Sequence, residues 1–186
     1  MIDIHLWNTQ IIVGTILGGS SLTRPTKAVN YQLSMRNNNA DWLKYKIYEL
    51  QEFFTINKLT KDGETYRCKS KCNKFFTDMY NLIYERSKRK VTMDLLSPLR
   101  DIGLAVWFLD SGGKTGRNKK NAYLNLTKFS KKEIGIIHEY FYDIVEMPCR
   151  IIKNGKGVRL VFIVDGTLKL LRIISPKFPY FMHHRI

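Results

Sequence analysis

Two short junctions in this 186-residue chain hold side chains placed for chemistry. In AVWFLDSGGK (Ala105–Lys114), an apolar run ends abruptly in Asp110, Ser111, Gly112 and Gly113. In VGTILGGSSL (Val13–Leu22), a similar run ends in Gly18, Gly19 and Ser20, with no carboxylate. A second set of residues lies on alternating segments. It comprises Asn30, Gln32, Ser34 and Arg36; Arg67, Lys69 and Lys71; Asn121, Tyr123, Asn125 and Thr127; and Arg150, Lys153 and Arg159. Arg, Asn, Gln and Thr pair with base edges in the major groove of DNA. Lys and Arg neutralise phosphates. The narrow, deep major groove of A-form RNA suits the same ribbon less well.

Two loops, Arg24–Lys27 (RPTK) and Lys114–Lys120 (KTGRNKK), carry only basic charge, with Arg24, Lys27, Lys114, Arg117, Lys119 and Lys120 as further phosphate contacts. The whole chain has a net charge of +15, far beyond what solubility needs, and so implies a polyanionic partner. An anionic membrane competes for that role, but no basic amphipathic helix with a clean apolar face stands out. No apolar run reaches the ~20 residues of a membrane span. The segment MIDIHLWNTQ lacks a basic stretch followed by an apolar one, so an intracellular protein is expected. The cysteines Cys68, Cys72 and Cys149 are too few for a four-ligand zinc site and read as reduced thiols.

The elements that must position these residues occur twice. Thr9–Gly18 reads as an apolar helix and Ala28–Arg36 as a half-buried strand, with Val29, Tyr31, Leu33 and Met35 inward. Next comes a helix capped by Asn39 or Asp41, whose inner face is Leu43, Ile47, Leu50 and Phe54. A hairpin on Asp62-Gly63 and a helix near Lys74–Glu85 complete the round. The second round runs from a helix with Pro98 in its first turn, through strand Asn121–Thr127 and a helix with a Ser130/Glu133 capping box. It closes with a hairpin on Asn154-Gly155 and a helix near Asp165–Ile174. Gly19 and Ser111, the two hairpin turns, and Arg67 and Arg159 are each ninety-two positions apart. The spacing predicts a duplicated α/β module in a pseudo-two-fold monomer. Its halves are 1–88 and 98–186, with a basic linker at 89–97. Gly14, Gly18 and Gly103 would let the two apolar helices approach closely, their ends side by side.

VGTILGGSSL then resembles the first motif of the LAGLIDADG homing endonucleases in their single-chain form, and LAVWFLDSGG (Leu104–Gly113) is very similar to the second. The resemblance covers nearly the whole chain. It implies an α+β saddle of two αββαββα halves on a long DNA duplex, with the motif helices at the pseudo-two-fold axis. It also implies Mg²⁺-dependent hydrolysis of both strands, with an acid at the end of each motif helix holding the metal through hard oxygen ligands. Here those two positions are Gly19 and Ser111. Asp110 stands one position early, about 100° around the helix. The basic residues that the family places near the centre map to Lys90 and to His184 or Arg185. No firmly held metal is therefore expected, and cleavage is expected to be absent or impaired. Two other readings stay open: an active nuclease with a weakened metal site, and a binder of group I intron RNA.

Overall fold

The computed structural model describes residues 2–3, 5–55, 59–155 and 157–185. The first round is α1 (Trp7–Leu17), β1 (Ser21–Thr23), β2 (Gln32–Asn37), α2 (Ala40–Glu49), β3 (Thr60–Asp62), β4 (Thr65–Lys69) and α3 (Lys74–Ile83). A short hairpin, β5 (Tyr84–Glu85) and β6 (Lys88–Arg89), and a one-turn helix α4 (Met93–Leu96) lead on. The second round is α5 (Asp101–Ser111), β7 (Gly112–Thr115), β8 (Asn121–Asn125), α6 (Lys131–Glu139), β9 (Cys149–Asn154), β10 (Gly157–Phe162) and α7 (Val164–Ile174). Both sheets are antiparallel with the same strand order, β1-β2-β4-β3 and β7-β8-β10-β9. This is the expected α+β pair of αββαββα repeats.

α1 is buried all round from Thr9 to Leu17 and α5 from Ile102 to Leu109, as their largely apolar sequences require. They pack on each other at their glycines. A Cβ on Gly14 would collide with the Gly103 carbonyl oxygen and lie 3.1 Å from Val106 Cβ, and a Cβ on Gly18 would collide with Asp110 Cβ. Val106 follows Gly14, and Asp110 follows Gly18, by ninety-two positions. Equivalent residues therefore meet across the axis, as a two-fold relation demands. Buried Gln10 joins the helices again. Its side chain donates to the Pro98 carbonyl at 2.9 Å and accepts from Arg100 N–H at 2.7 Å, satisfying the start of α5.

The other helices cover the backs of the sheets. Asn39 caps α2, accepting from the N–H groups of Asp41 and Trp42. Leu43, Ile47, Leu50 and Phe54 are buried beneath it. The Ser130/Glu133 capping box is present, and Glu133 also accepts from Val91 N–H, tying the connection between the repeats to α6. Both hairpins form where Asp62-Gly63 and Asn154-Gly155 predicted them, with φ +59 at Gly63 and +57 at Gly155. Lys156 lies outside the described residues.

Several expectations are corrected. β2 begins at Gln32 rather than Ala28, and Val29 is 86% exposed. Its alternation continues a pattern that the chain abandons after the Pro25 turn. Pro98 precedes α5, in the turn after α4. β1 and β7 are edge strands of three and four residues, too short for their alternation to stand out in the sequence. The basic linker expected at 89–97 contains the one-turn helix α4, and the β5–β6 hairpin immediately before it ends at Arg89.

Replacing Gly14 by Val should drive the two helices apart and destabilise the protein by about 1–3 kcal/mol, the usual cost of overpacking. Urea unfolding measures this; an unchanged midpoint would contradict the close packing described.

Candidate nucleic-acid interface and paired helix tips

On β2, Leu33 and Met35 are buried under the helices, so Gln32, Ser34 and Arg36 face the other way. Register places Ser34 opposite Lys69 and Arg36 opposite Arg67, so all five share one face. Together with Arg24 they line an open cleft beside Gly19. Arg67 also meets Asp62 at 2.5 Å in an exposed pair, a contact of small energetic weight. In the second sheet, Asn121, Tyr123 and Asn125 share the equivalent face with Arg159, whose guanidinium carbon lies 4.3 Å from the Tyr123 ring centroid. Arg150, opposite Val161, joins them. Arg117, Lys119 and Lys120 are exposed at the end of that sheet, and Lys27 in the loop after β1.

Other expected contacts fall elsewhere. Lys153 pairs with Val158 and alternates to the face opposite Arg159. Lys114 pairs with Ala122 on the helix side of the edge strand. Asn30 lies before β2 and accepts from the Thr77 hydroxyl of α3 at 3.0 Å. The Thr127 hydroxyl accepts from Val158 N–H at 3.1 Å, closing the turn after β8. Lys71 is exposed beyond the end of β4. Lys90 pairs with Glu85 at 3.4 Å and lines the same groove as Gly19. His184 is exposed, its Nδ1 3.0 Å from the Phe181 carbonyl oxygen in the last helical turn. The side chain of Arg185 lies outside the described residues.

At the helix tips the acid positions hold no acid. Gly19 sits in the turn after α1 with φ +121, a conformation L side chains rarely adopt. Ser111 donates its hydroxyl to the Trp107 carbonyl at 3.2 Å. Asp110, 6% exposed, is turned into the protein. It accepts from Trp42 Nε1 at 2.6 Å and from Lys46 Nζ at 2.8 and 2.9 Å, with Lys46 fully buried. This carboxylate belongs to a buried bridge between α2 and α5. Its donors take both acceptor sites of Oδ1 and one of Oδ2, and the lysine ammonium already neutralises its charge.

Sequence reasoning missed Lys128, whose Nζ lies 3.1 Å from the place a Cβ on Gly19 would occupy. Partial burial, then the nearby charges of Arg36 and Arg89, hold its ammonium below the usual lysine range. Its position was available in the repeat spacing, because it follows Arg36 by ninety-two residues. Lys46 of α2 was also missed. A divalent cation at these tips would need clustered carboxylates. Among the described residues there is no group of three or more His, Cys, Asp or Glu side chains able to hold one. The residues present do not fit the metal that the family resemblance implies.

Two repeats, each an apolar helix, two strand pairs and two covering helices, packed helix against helix with their tips side by side, define a pseudo-two-fold LAGLIDADG scaffold. Residues 9–170 match the LAGLIDADG DNA endonuclease family, and the chain belongs to it. A probable intron-encoded endonuclease 1 of Wickerhamomyces canadensis is 23% identical over 90% of this chain and 78% of its own length. A RecA protein of Mycolicibacterium fallax is also 23% identical, and there the match covers 45% of the relative. Among solved structures, the homing endonuclease I-WcaI bound to its DNA recognition sequence superposes with TM-score 0.85 at 20% identity, covering 96% of this chain and 84% of that one. I-DmoI in complex with DNA and Mn gives TM-score 0.58 at 14% identity over 90% and 95% of the two chains. No helix among the described residues is long and apolar enough to cross a membrane.

Lys46→Met alone would strand the Asp110 carboxylate and should cost about 3–5 kcal/mol in urea unfolding. Adding Asp110→Asn removes the orphaned charge while keeping an acceptor for Trp42, and should recover most of the loss. An equal loss in the single and double variants would contradict the bridge.

Proposed function

We propose that this chain is a monomeric binder of a long DNA duplex, and that it does not hydrolyse the strands. The observation that carries the reading is the pairing of two basic, polar sheet faces with helix tips that offer no free carboxylate. Arg36 with Arg67, Ser34 with Lys69, and Tyr123, Asn125 and Arg159 supply base-edge and phosphate partners. Each sheet can follow one stretch of major groove, and the axis between them faces the middle of the target. The relatives support the partner: I-WcaI was solved with its DNA recognition sequence and I-DmoI with DNA. The absence of cleavage follows from chemistry at the tips. Hydrolysis assisted by paired metals needs oxygen ligands to hold them. Here the positions are glycine and a serine whose hydroxyl is engaged, while Asp110 is held by Lys46 and Trp42. Binding is then governed by counterion release and does not depend on a divalent cation.

Selection from a pool of random duplexes should recover a long preferred site. Affinity for that duplex should fall by about a thousandfold or more between ~50 and ~200 mM salt in a gel-shift titration, as for proteins with several phosphate contacts. The same duplex should stay intact with Mg²⁺ or Mn²⁺. Affinity indifferent to salt would contradict the binding reading, cut strands would establish an active nuclease, and preference for intron RNA over the duplex would replace DNA as the partner.

A further inference from the structure

The turn after α1 carries more than a missing acid. Lys128, from the turn after β8, places its ammonium 3.1 Å from where a side chain at position 19 would begin. Arg36 enters the same cleft from β2. Arg89, from β6, enters the neighbouring cleft that also holds Gly19, Ser111 and Lys128. Three cations from three different elements therefore converge on the tip of α1. Asp110 is the carboxylate among the residues lining these two clefts, and it is already matched by buried Lys46. Among the described residues, Arg36 and Lys128 make no ion pair. Arg89 is fixed in place: it donates to the Ile16 carbonyl at the end of α1 and lies 4.5 Å from the Phe129 ring centroid. Like charges assembled this closely repel one another, and an anion placed among them relieves that repulsion.

We propose that Lys128, Arg36 and Arg89 form a metal-free anion site at the α1 tip that takes one backbone phosphate of a bound duplex and excludes divalent cations. The site rests on the DNA-binding reading and deepens it. A tetrahedral phosphate diester offers two anionic oxygens and suits donors arriving from several directions. The exclusion has two physical causes. A cation at the α1 tip meets three positive charges, and the Asp110 carboxylate there is already held by Lys46 and Trp42. An aspartate introduced at position 19 would start beside Lys128 Nζ and form an ion pair with it, at a φ of +121 that already strains an L residue. Restoring acids at both tips would therefore leave the first without metal while Lys128 remains.

The test is a salt titration of the selected duplex, in EDTA, with four proteins: wild type, Lys128→Met, Lys128→Arg and Lys169→Met. The last removes an exposed lysine of α7 on the back of the second sheet. Lys128→Met should reduce the slope of log affinity against log salt by about 0.9, one phosphate contact. Lys128→Arg and Lys169→Met should keep the wild-type slope. A wild-type slope in Lys128→Met overturns the proposal. Failure of the wild type to bind any duplex overturns the DNA reading instead, and the melting temperature in inorganic phosphate then decides the site. A rise in wild type that Lys128→Met lacks supports an anion site that takes free phosphate; no rise overturns it. A second arm tests exclusion by melting in Mn²⁺. Gly19→Asp/Ser111→Asp should gain no protection, and the same pair with Lys128→Met should gain it. Protection with Lys128 still present overturns the exclusion. If the strained aspartate prevents folding, the salt slope of Lys128→Met still decides the proposal.

Discussion

The contact on which everything else depends is backbone against backbone at the axis. α1 and α5 approach until Gly14 meets the Gly103 carbonyl and Gly18 meets Asp110, with equivalent positions facing each other. Only residues without a Cβ allow this separation. Because the helices meet this closely, their tips emerge side by side. The two sheets are then held in a fixed relation, each with its helices behind and its polar face in front. A looser interface would leave two independent α/β repeats instead of one continuous basic surface.

The tip itself reveals how the charge has been redistributed. Asp110, one position before the acid site, is used for structure. It borders the clefts at the helix tip, but its carboxylate is nearly buried and held by Trp42 and Lys46 of the other repeat. A buried ion pair contributes little net stability relative to apolar packing, but losing one partner is costly. The bridge therefore acts as a fixed link between α2 and α5 that tolerates no single loss. On the solvent side the balance is reversed. Lys128, Arg36 and Arg89 converge on the α1 tip, the Asp110 carboxylate there is matched by Lys46, and Glu133 beside Arg89 accepts from Val91 and Ser130 N–H. On the proposed reading, a scaffold shared with relatives described as endonucleases carries basic side chains at its centre suited to a phosphate.

Much of this was legible in the residues. The glycine spacing, the two turn dipeptides, the capping box and the alternation of Asn121–Asn125 each state a local physical requirement, and each was met. The repeat spacing marked equivalent positions before any contact was known. What was not legible has specific causes. The edge strands β1 and β7 are only three and four residues long, too short for alternation to stand out. Lys153 and Lys114 were assigned by their charge, whereas register puts both on the other side of the sheet. Lys46 looks like a solvated helix position until α5 is laid against α2. Lys128 sits in a turn, where alternation says nothing about direction, and only its equivalence to Arg36 pointed to it.

The most direct measurement is a crystal structure of the protein with its selected duplex, grown with MnCl₂ and recorded at the manganese absorption edge. The account predicts no anomalous peak between the helix tips and a backbone phosphate oxygen within hydrogen-bonding distance of Lys128 Nζ. A manganese ion coordinated by protein oxygens beside Gly19 and Ser111, with Lys128 turned away, would contradict it.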